Sequence, residues 1–376
     1  MLNRRSLRIK IMQSIFAYEQ CVEANYQLSV DFIKERFQPD LMSMETQDKG
    51  KLKKDTKEAI QLFEKKFKSL SAQDSSDAVI NKCVEEALAL FQKQVKKDYA
   101  FLLQNLVAGV ESLNHTYYAV LELLVEFAHV AKSDKKLDHQ NFINSKPVKA
   151  LANNSELRKE TLKSEAWQNK MDKVRDWFRT VIKPDDLFQK FNTESDPNEE
   201  TQRAIVKHIF RKLVLGAGPV HDFFEEQDIR WAEDADIIKS LVDKTMKSVD
   251  FESGTLTLQK LSLDWEDDKD FMNKMFHATV NLDVSHKELI AKNTRNWEVE
   301  RLPLTDQVIL EMAIAELLTF PGIPIKVTMN EYIELAKRYS TPNSRSFING
   351  ILDVISKDLK NSGAVRKSGR GLIDNK

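Results

Sequence analysis

In the carboxy-terminal third of the chain, proline brackets runs of helical period. Pro303 precedes an apolar run from Thr305 to Thr319, and Pro321 and Pro324 close it. Farther on, Phe347, Ile348, Ile351, Leu352, Ile355 and Leu359 recur at the 3.6-residue period of a helix with one buried face. Thr328 and Glu331 stand at capping-box spacing and predict a helix ending near Tyr339, while Ser344 predicts the cap of the last helix. Gly350 inside that helix costs about 1 kcal/mol relative to alanine, so close backbone packing or the approach of a ligand is its expected reason. Only 10 glycines and 9 prolines occur in 376 residues, too few turn formers for a many-stranded fold. The expected class is all-α.

The length admits two domains, or one domain carrying a large insertion. A formal net charge of −1 announces no polyanion partner for the whole chain, so any nucleic-acid surface must be a local patch. Cys21 and Cys83 make neither a disulfide framework nor a zinc site by themselves. The start, Met-Leu-Asn-Arg-Arg, lacks an apolar run of signal-peptide length, and no stretch is apolar enough to span a bilayer, which leaves the cytoplasm as the default location.

Residues 4 to about 25 read as one helix behind Asn3 as N-cap, with an apolar body from Ile9 to Phe16 and a basic head of Arg4, Arg5, Arg8 and Lys10. Segments 51–70 and 82–98 read as exposed amphipathic helices, and 99–131 as one or two buried ones. Residues 132–160 suggest a loop with short helical pieces, followed by helices over 165–182 and 200–215. The latter stops at Gly216-Ala-Gly-Pro219. Helices are further predicted over 267–277 and 285–293.

Catalytic motifs are missing from this reading. Gly216-Ala-Gly218 lacks a third glycine and a preceding strand, and no phosphate loop, metalloprotease helix or nucleophile elbow occurs. His221 and Glu225, four apart, are two neighbours without further ligands and read as solvated helix residues, as do His115, His129 and His277. Cys21 reads as core. The expectation is a protein that is not an enzyme and uses no cofactor or metal.

A resemblance supplies what these exclusions leave open. Asn296-Trp-Glu-Val-Glu-Arg-Leu-Pro-Leu-Thr-Asp306, Ile309-Leu-Glu-Met-Ala313, Ile323-Pro-Ile-Lys-Val327, Asn330-Glu-Tyr-Ile-Glu-Leu-Ala-Lys337 and Ser344-Arg-Ser-Phe-Ile-Asn-Gly350-Ile-Leu-Asp353 follow one another with family-like order and spacing. Together with Arg4-Arg-Ser-Leu-Arg8 and Gln13-Ser-Ile-Phe16, they resemble the NusB family. The resemblance covers residues 3–20 and roughly 268–358, and departs at Ser6, where the family commonly continues its arginine run. It implies a NusB-like helical bundle made by the two chain ends, 1–27 and 266–360, with a helical insertion over 28–265 and a flexible basic tail over 361–376.

The implied function is transcription antitermination: binding single-stranded leader RNA of ribosomal RNA transcripts with a small-subunit ribosomal protein, NusE, inside the RNA polymerase antitermination complex. Arg4, Arg5 and Arg8 share one helix face at the positive end of its dipole, where phosphates bind, although a solvated helix start has the same pattern. Gln13 and Phe16 offer a hydrogen bond and a stacking face to an unpaired base, with core packing the alternative for Phe16. By the resemblance, Arg345 and Phe347 belong to the RNA surface, and Asn343 offers an amide where relatives often carry an acid. Glu300 and Asp306 match acidic positions at the family's NusE interface, or are ordinary surface carboxylates. The tail residues Arg366, Lys367 and Arg370 would add non-specific phosphate attraction. Two other classes stay open: a helical protein-interaction scaffold without RNA, and an RNA-modification accessory protein.

Overall fold

The computed structural model describes residues 2–39, 48–69, 73–293 and 302–375. Among these, every regular element is helical, as the scarcity of turn formers requires. In chain order they open with α1 (Arg4–Arg36), α2 (Lys49–Lys68) and α3 (Ala78–Ser133). Next come α4 (Gln140–Asn144), α5 (Lys146–Asn153), α6 (Ser155–Ser164), α7 (Met171–Trp177), α8 (Asp186–Thr193), α9 (Glu199–His208), α10 (Pro219–Gln227) and α11 (Trp231–Lys247). The last group is α12 (Trp265–Val280), α13 (Val284–Asn293), α14 (Leu304–Thr319), α15 (Ile325–Tyr339) and α16 (Ser344–Asn361). No described helix is long and apolar enough to cross a membrane. The chain divides into two compact units: Met1–Arg4 with Ala108–Asp268, and Arg5–Val107 with Lys269–Lys376.

Several helices outrun the sequence pattern. α1 continues to Arg36 because Val30 and Ile33 extend its buried face beyond residue 25. The two segments expected at 82–98 and 99–131 form the single 56-residue α3, since no glycine cap or proline separates them. α7 and α9 end in π-helical turns, Phe178–Ile182 and Ile209–Val214. Helices α8 and α11 were not foreseen, and α10 only as the helical setting of His221 and Glu225. α11 is amphipathic, burying Ile237, Ile238, Leu241 and Val242.

In the first unit the core is aromatic. Trp167, Trp177, Phe223, Phe224 and Trp231 pack edge-on and stacked with centroids 4.9–6.1 Å apart, and Trp167 donates its indole N–H to Ala119 O at 2.9 Å. Buried Tyr117 bonds Thr245 through its hydroxyl, which also accepts from Gln259 N at 3.0 Å.

In the second unit α14 is the axis and packs against α13, α15 and α16. It is apolar almost all round, burying Val308 through Ala315 without a break. A separate cluster joins α1, α2 and α3 through Val30, Ile33, Phe37, Ala59, Leu62, Phe63, Ile80 and Val84.

The carboxy-terminal tail, expected to be flexible, packs against the end of α14. Val365 is buried, Ser368 N donates to Pro321 O at 3.0 Å, and Lys367 Nζ donates to Leu317 O and Phe320 O at 3.1 and 3.0 Å. Lysine thus caps the Leu317 carbonyl, which α14 leaves open because Pro321 has no N–H, and shares that of Phe320 with Ile323 N. A Cβ at Gly371 would lie 2.1 Å from Pro321 O, so only glycine lets the tail approach so closely.

Candidate nucleic-acid interface

The site is framed from the two ends of α14. Near its carboxy end Glu316 is fully buried and receives four hydrogen bonds. Arg8 Nε and Nη2 donate at 2.7 and 2.8 Å, Thr328 Oγ1 at 2.8 Å and Tyr332 OH at 3.0 Å. Burial works against the charge of Arg8, but the hydrogen bonds and attraction of Glu316 outweigh it and raise its pKa. Burial, reinforced by the Glu316 charge, lifts the Tyr332 phenol well above its usual value.

Thr328 and Glu331 do not form the expected capping box. α15 begins at Ile325 behind Pro324, which places Thr328 a turn inside the helix and its hydroxyl on Glu316. Glu331 instead takes the fork of Arg5, with both bonds at 2.8 Å. The bond from Arg5 and the charge of Arg8 hold the Glu331 carboxyl below its usual range against burial. In the first unit Arg4 bonds Asp267 and lies 3.6 Å from Asp268. Each of the three arginines expected on one phosphate-facing side therefore meets a carboxylate of a different helix. Arg8 is 3% exposed, whereas the side chain of Arg5 keeps 49% of its surface.

At the other end of α14, Asp306 turns inward at 2% exposure and accepts from Ser344 Oγ at 2.6 Å. Ser340 Oγ and Thr341 Oγ1 bond that same hydroxyl at 3.0 and 2.7 Å. Ser344 is thus not the helix cap: Asn343 precedes α16, without a side-chain capping bond, while Ser344 ties the loop to α14. This hook leaves Asn343, Arg345, Asn349 and Gly350 exposed and Phe347 half-buried. A Cβ at Gly350 would meet nothing within 4 Å, which removes backbone packing as the reason for the glycine. On α1, Gln13 is half-buried and Phe16 is 38% exposed. Glu300 lies outside the described residues.

Between α1 and α15 runs a groove of about 390 Å³, lined by Arg5 and Ile9 of α1 and by Glu334, Leu335, Lys337, Arg338 and Tyr339 of α15. The Arg338 guanidinium lies 5.4 Å from the Tyr339 ring centroid, and Lys337 Nζ lies 3.9 Å from Glu334. α15 leads through residues 340–343 into α16, so the groove's cations adjoin Asn343 and Arg345 along the chain. Lys337, Arg338 and Tyr339 were missed from the sequence because basic residues in a helix's last turn are common complements to its dipole and mark no ligand by themselves. In the first unit, ligand atoms of His221, Asp222 and Glu225 come within 4.8 Å of one another, with both acids exposed.

Comparison with known proteins gives the chain relatives. The model of the NusB family matches residues 229–357. That match begins ahead of residue 266 and takes in α11, while α1 lies outside it. The transcription antitermination protein NusB of Salinibacter ruber is 39% identical over 138 residues, 36% of this chain and 86% of that protein. The protein of the same name from Chloroherpeton thalassium is 43% identical over 106 residues, 28% of this chain and 50% of that protein. A third, from Dictyoglomus turgidum, is 40% identical over 104 residues, 28% of this chain and 70% of that protein. No solved structure matches.

Proposed function

The chain belongs to the NusB family, and from that membership we propose that it is a cytoplasmic transcription antitermination factor that binds single-stranded leader RNA of ribosomal RNA transcripts. The observation that carries the reading is the α1–α15 groove, where Arg5, Lys337 and Arg338 lead toward the exposed Asn343, Arg345 and the half-buried Phe347. Phosphates lie along the exposed edge of Arg5, Lys337, Arg338 and Arg345, and the Asn343 amide donates to a phosphate oxygen. Unstacked bases meet Phe347 and Phe16, with Gln13 beside them, and the open space over Gly350 admits the RNA to the α16 surface. Arg4 and Arg8 hold α1 in place rather than touch RNA, because Asp267 and Glu316 take their guanidiniums. The factor acts with a NusE-type ribosomal protein inside the RNA polymerase antitermination complex and performs no catalysis. Glu300 serves the NusE contact, while Asp306 serves it indirectly by tying Ser344 to α14.

The carboxylates facing all three head arginines favour a second reading, a helical interaction scaffold without RNA. Electrophoretic mobility shift with single-stranded ribosomal leader RNA, with and without the ribosomal protein, separates the two. The RNA reading expects a shift that weakens at least tenfold in Arg345→Ala/Phe347→Ala and in Lys337→Ala/Arg338→Ala. A protein that captures the ribosomal partner yet leaves RNA unshifted is the scaffold.

A further inference from the structure

Helix α2 carries eight lysines against three carboxylates, in a chain whose net charge is −1. One face of α2 buries Ala59, Leu62 and Phe63 in the cluster with α1 and α3. At 100° per residue Lys53, Lys54, Lys57, Lys65 and Lys68 fall on the opposite face, and all five are exposed. Lys66 pairs with Asp74, but none of these five forms an ion pair among the described residues.

Other helices of this protein neutralise their exposed lysines and arginines four residues apart: Glu199 with Arg203, Asp270 with Lys274, Glu288 with Lys292, Asp353 with Lys357. In α2 the acids Glu58 and Glu64 stand four residues from Lys54 and Lys68, with Glu64 on the lysine face, yet they form no ion pair with them among the described residues. Like charges recur beside them, Lys53 with Lys57 four apart, and Lys54 with Lys57 and Lys65 with Lys68 three apart, an arrangement that costs helix stability. At the rim of the stripe Phe67 is 42% exposed, its ring edge-on to Tyr26 and Phe91 at 5.0 and 4.9 Å. A fixed, solvent-facing aromatic beside repeated cations matches a strand that offers phosphates and unstacked bases together. A lipid surface fits less well, because an interfacial helix must bury its apolar face in the bilayer, and that face of α2 is already in the protein core.

The geometry points to a second RNA-contact surface on α2, sequence-indifferent, about 40 Å along α1 from Arg5. This inference rests on the proposed RNA-binding function for its choice of polyanion. Phosphates of the flanking transcript run along Lys53, Lys57, Lys65 and Lys68, and a base stacks on Phe67. The insertion thereby lengthens the RNA path, and only an RNA extending well beyond the α1–α15 groove engages it.

The test compares single-stranded RNAs of about 10 and about 40 nucleotides, the shorter having the footprint of one compact site. Each is titrated against the full chain and against Lys53→Gln/Lys57→Gln/Lys65→Gln/Lys68→Gln over a range of salt. The expected result is at least tenfold weaker binding of the long RNA at low salt, with a log–log salt slope reduced by about two to three, since each single-strand phosphate contact contributes about 0.7. Binding of the short leader RNA stays unchanged. Phe67→Leu weakens long-RNA binding about fivefold without moving the slope. Long-RNA affinity and slope equal to those of the parent overturn the inference, whether or not the parent binds phosphatidylserine vesicles through α2. So does a parent that fails to bind the long RNA. Failure of the groove reading shows separately, as short-RNA binding indifferent to Arg345→Ala/Phe347→Ala.

Discussion

Arg8 and Glu316, 308 residues apart in the chain, meet fork to fork at 2.7 and 2.8 Å in a site closed to solvent. The pair fixes the rotation and height of α1 against α14 and α15, because Thr328 and Tyr332 fill the remaining acceptor positions of the carboxylate. Removing one member strands a buried charge, at a cost of about 3–5 kcal/mol, whereas neutralising both sides together relieves most of that cost. Glu316→Gln should therefore lower stability by about that amount. Arg8→Met combined with Glu316→Gln, which keeps an acceptor for Thr328 and Tyr332, should recover at least half. Urea unfolding of the two single variants and the double variant measures the coupling. Additive losses in the double variant would mean the pair does not act as one unit.

At Gly350 stability and function are expected to part. It stands inside α16, exposed, with open space where a Cβ would be. Gly350→Ala should therefore stabilise the protein by about 1 kcal/mol, through helix propensity and a less flexible unfolded chain. If RNA lies against this backbone, the same methyl lowers RNA affinity. A thermal melt and a binding titration on the one variant should move in opposite directions, and a melt that rises with unchanged affinity removes Gly350 from the interface.

The fold class and the carboxy-terminal helices were legible because proline marks their seams and their apolar residues keep one period. Elements within 28–265 were harder to bound. α3 runs on without punctuation, and α8 and α10 are too short to show three full turns of the period. In the candidate site, side-chain identity was legible and partner choice was not. Arg8 reads as a phosphate ligand until Glu316, far along the chain, is seen to occupy it, and Thr328 reads as half of a capping box until α15 is seen to start three residues earlier. Asp306 reads as a partner-facing or plain surface carboxylate because nothing local reveals that Ser344 comes back to it. Long-range polar pairing leaves no periodic trace.

Glu122 of α3 should give the first unit a pH-dependent stability. Burial pushes its carboxyl up to about 7, the charge of Glu126 adds to this, and a hydrogen bond from Thr161 works against it. Between its unfolded value near 4.5 and about 7 the folded protein holds a proton that the unfolded chain has lost. Stability from this group is therefore present at low pH, declines as pH rises through that window, and levels off above it. Allowing for partial solvent access, the decline is about 1–3 kcal/mol. Glu122→Gln should flatten the profile and raise the melting temperature at pH 8 but not at pH 4.5. A variant whose profile parallels the parent's across the window would contradict this.

Asn343 immediately precedes α16, exposed, and its side chain makes no capping bond to the helix. Replacing it with Asp should leave stability unchanged or raise it by about 0.3–1 kcal/mol, since a carboxylate at a helix N-terminus complements the dipole. RNA affinity should move the other way. The amide donates to a phosphate oxygen, whereas a carboxylate repels it by about 1 kcal/mol at a few Å in water, a several-fold loss. The loss should fade with added salt, because an exposed charge is screened within roughly 10 Å at 0.1 M. Melting temperature and affinity at low and high salt, measured together on Asn343→Asp, decide the matter. An intact fold with unchanged affinity at both salts would leave Asn343 as a turn residue only, and would move the RNA path away from the start of α16.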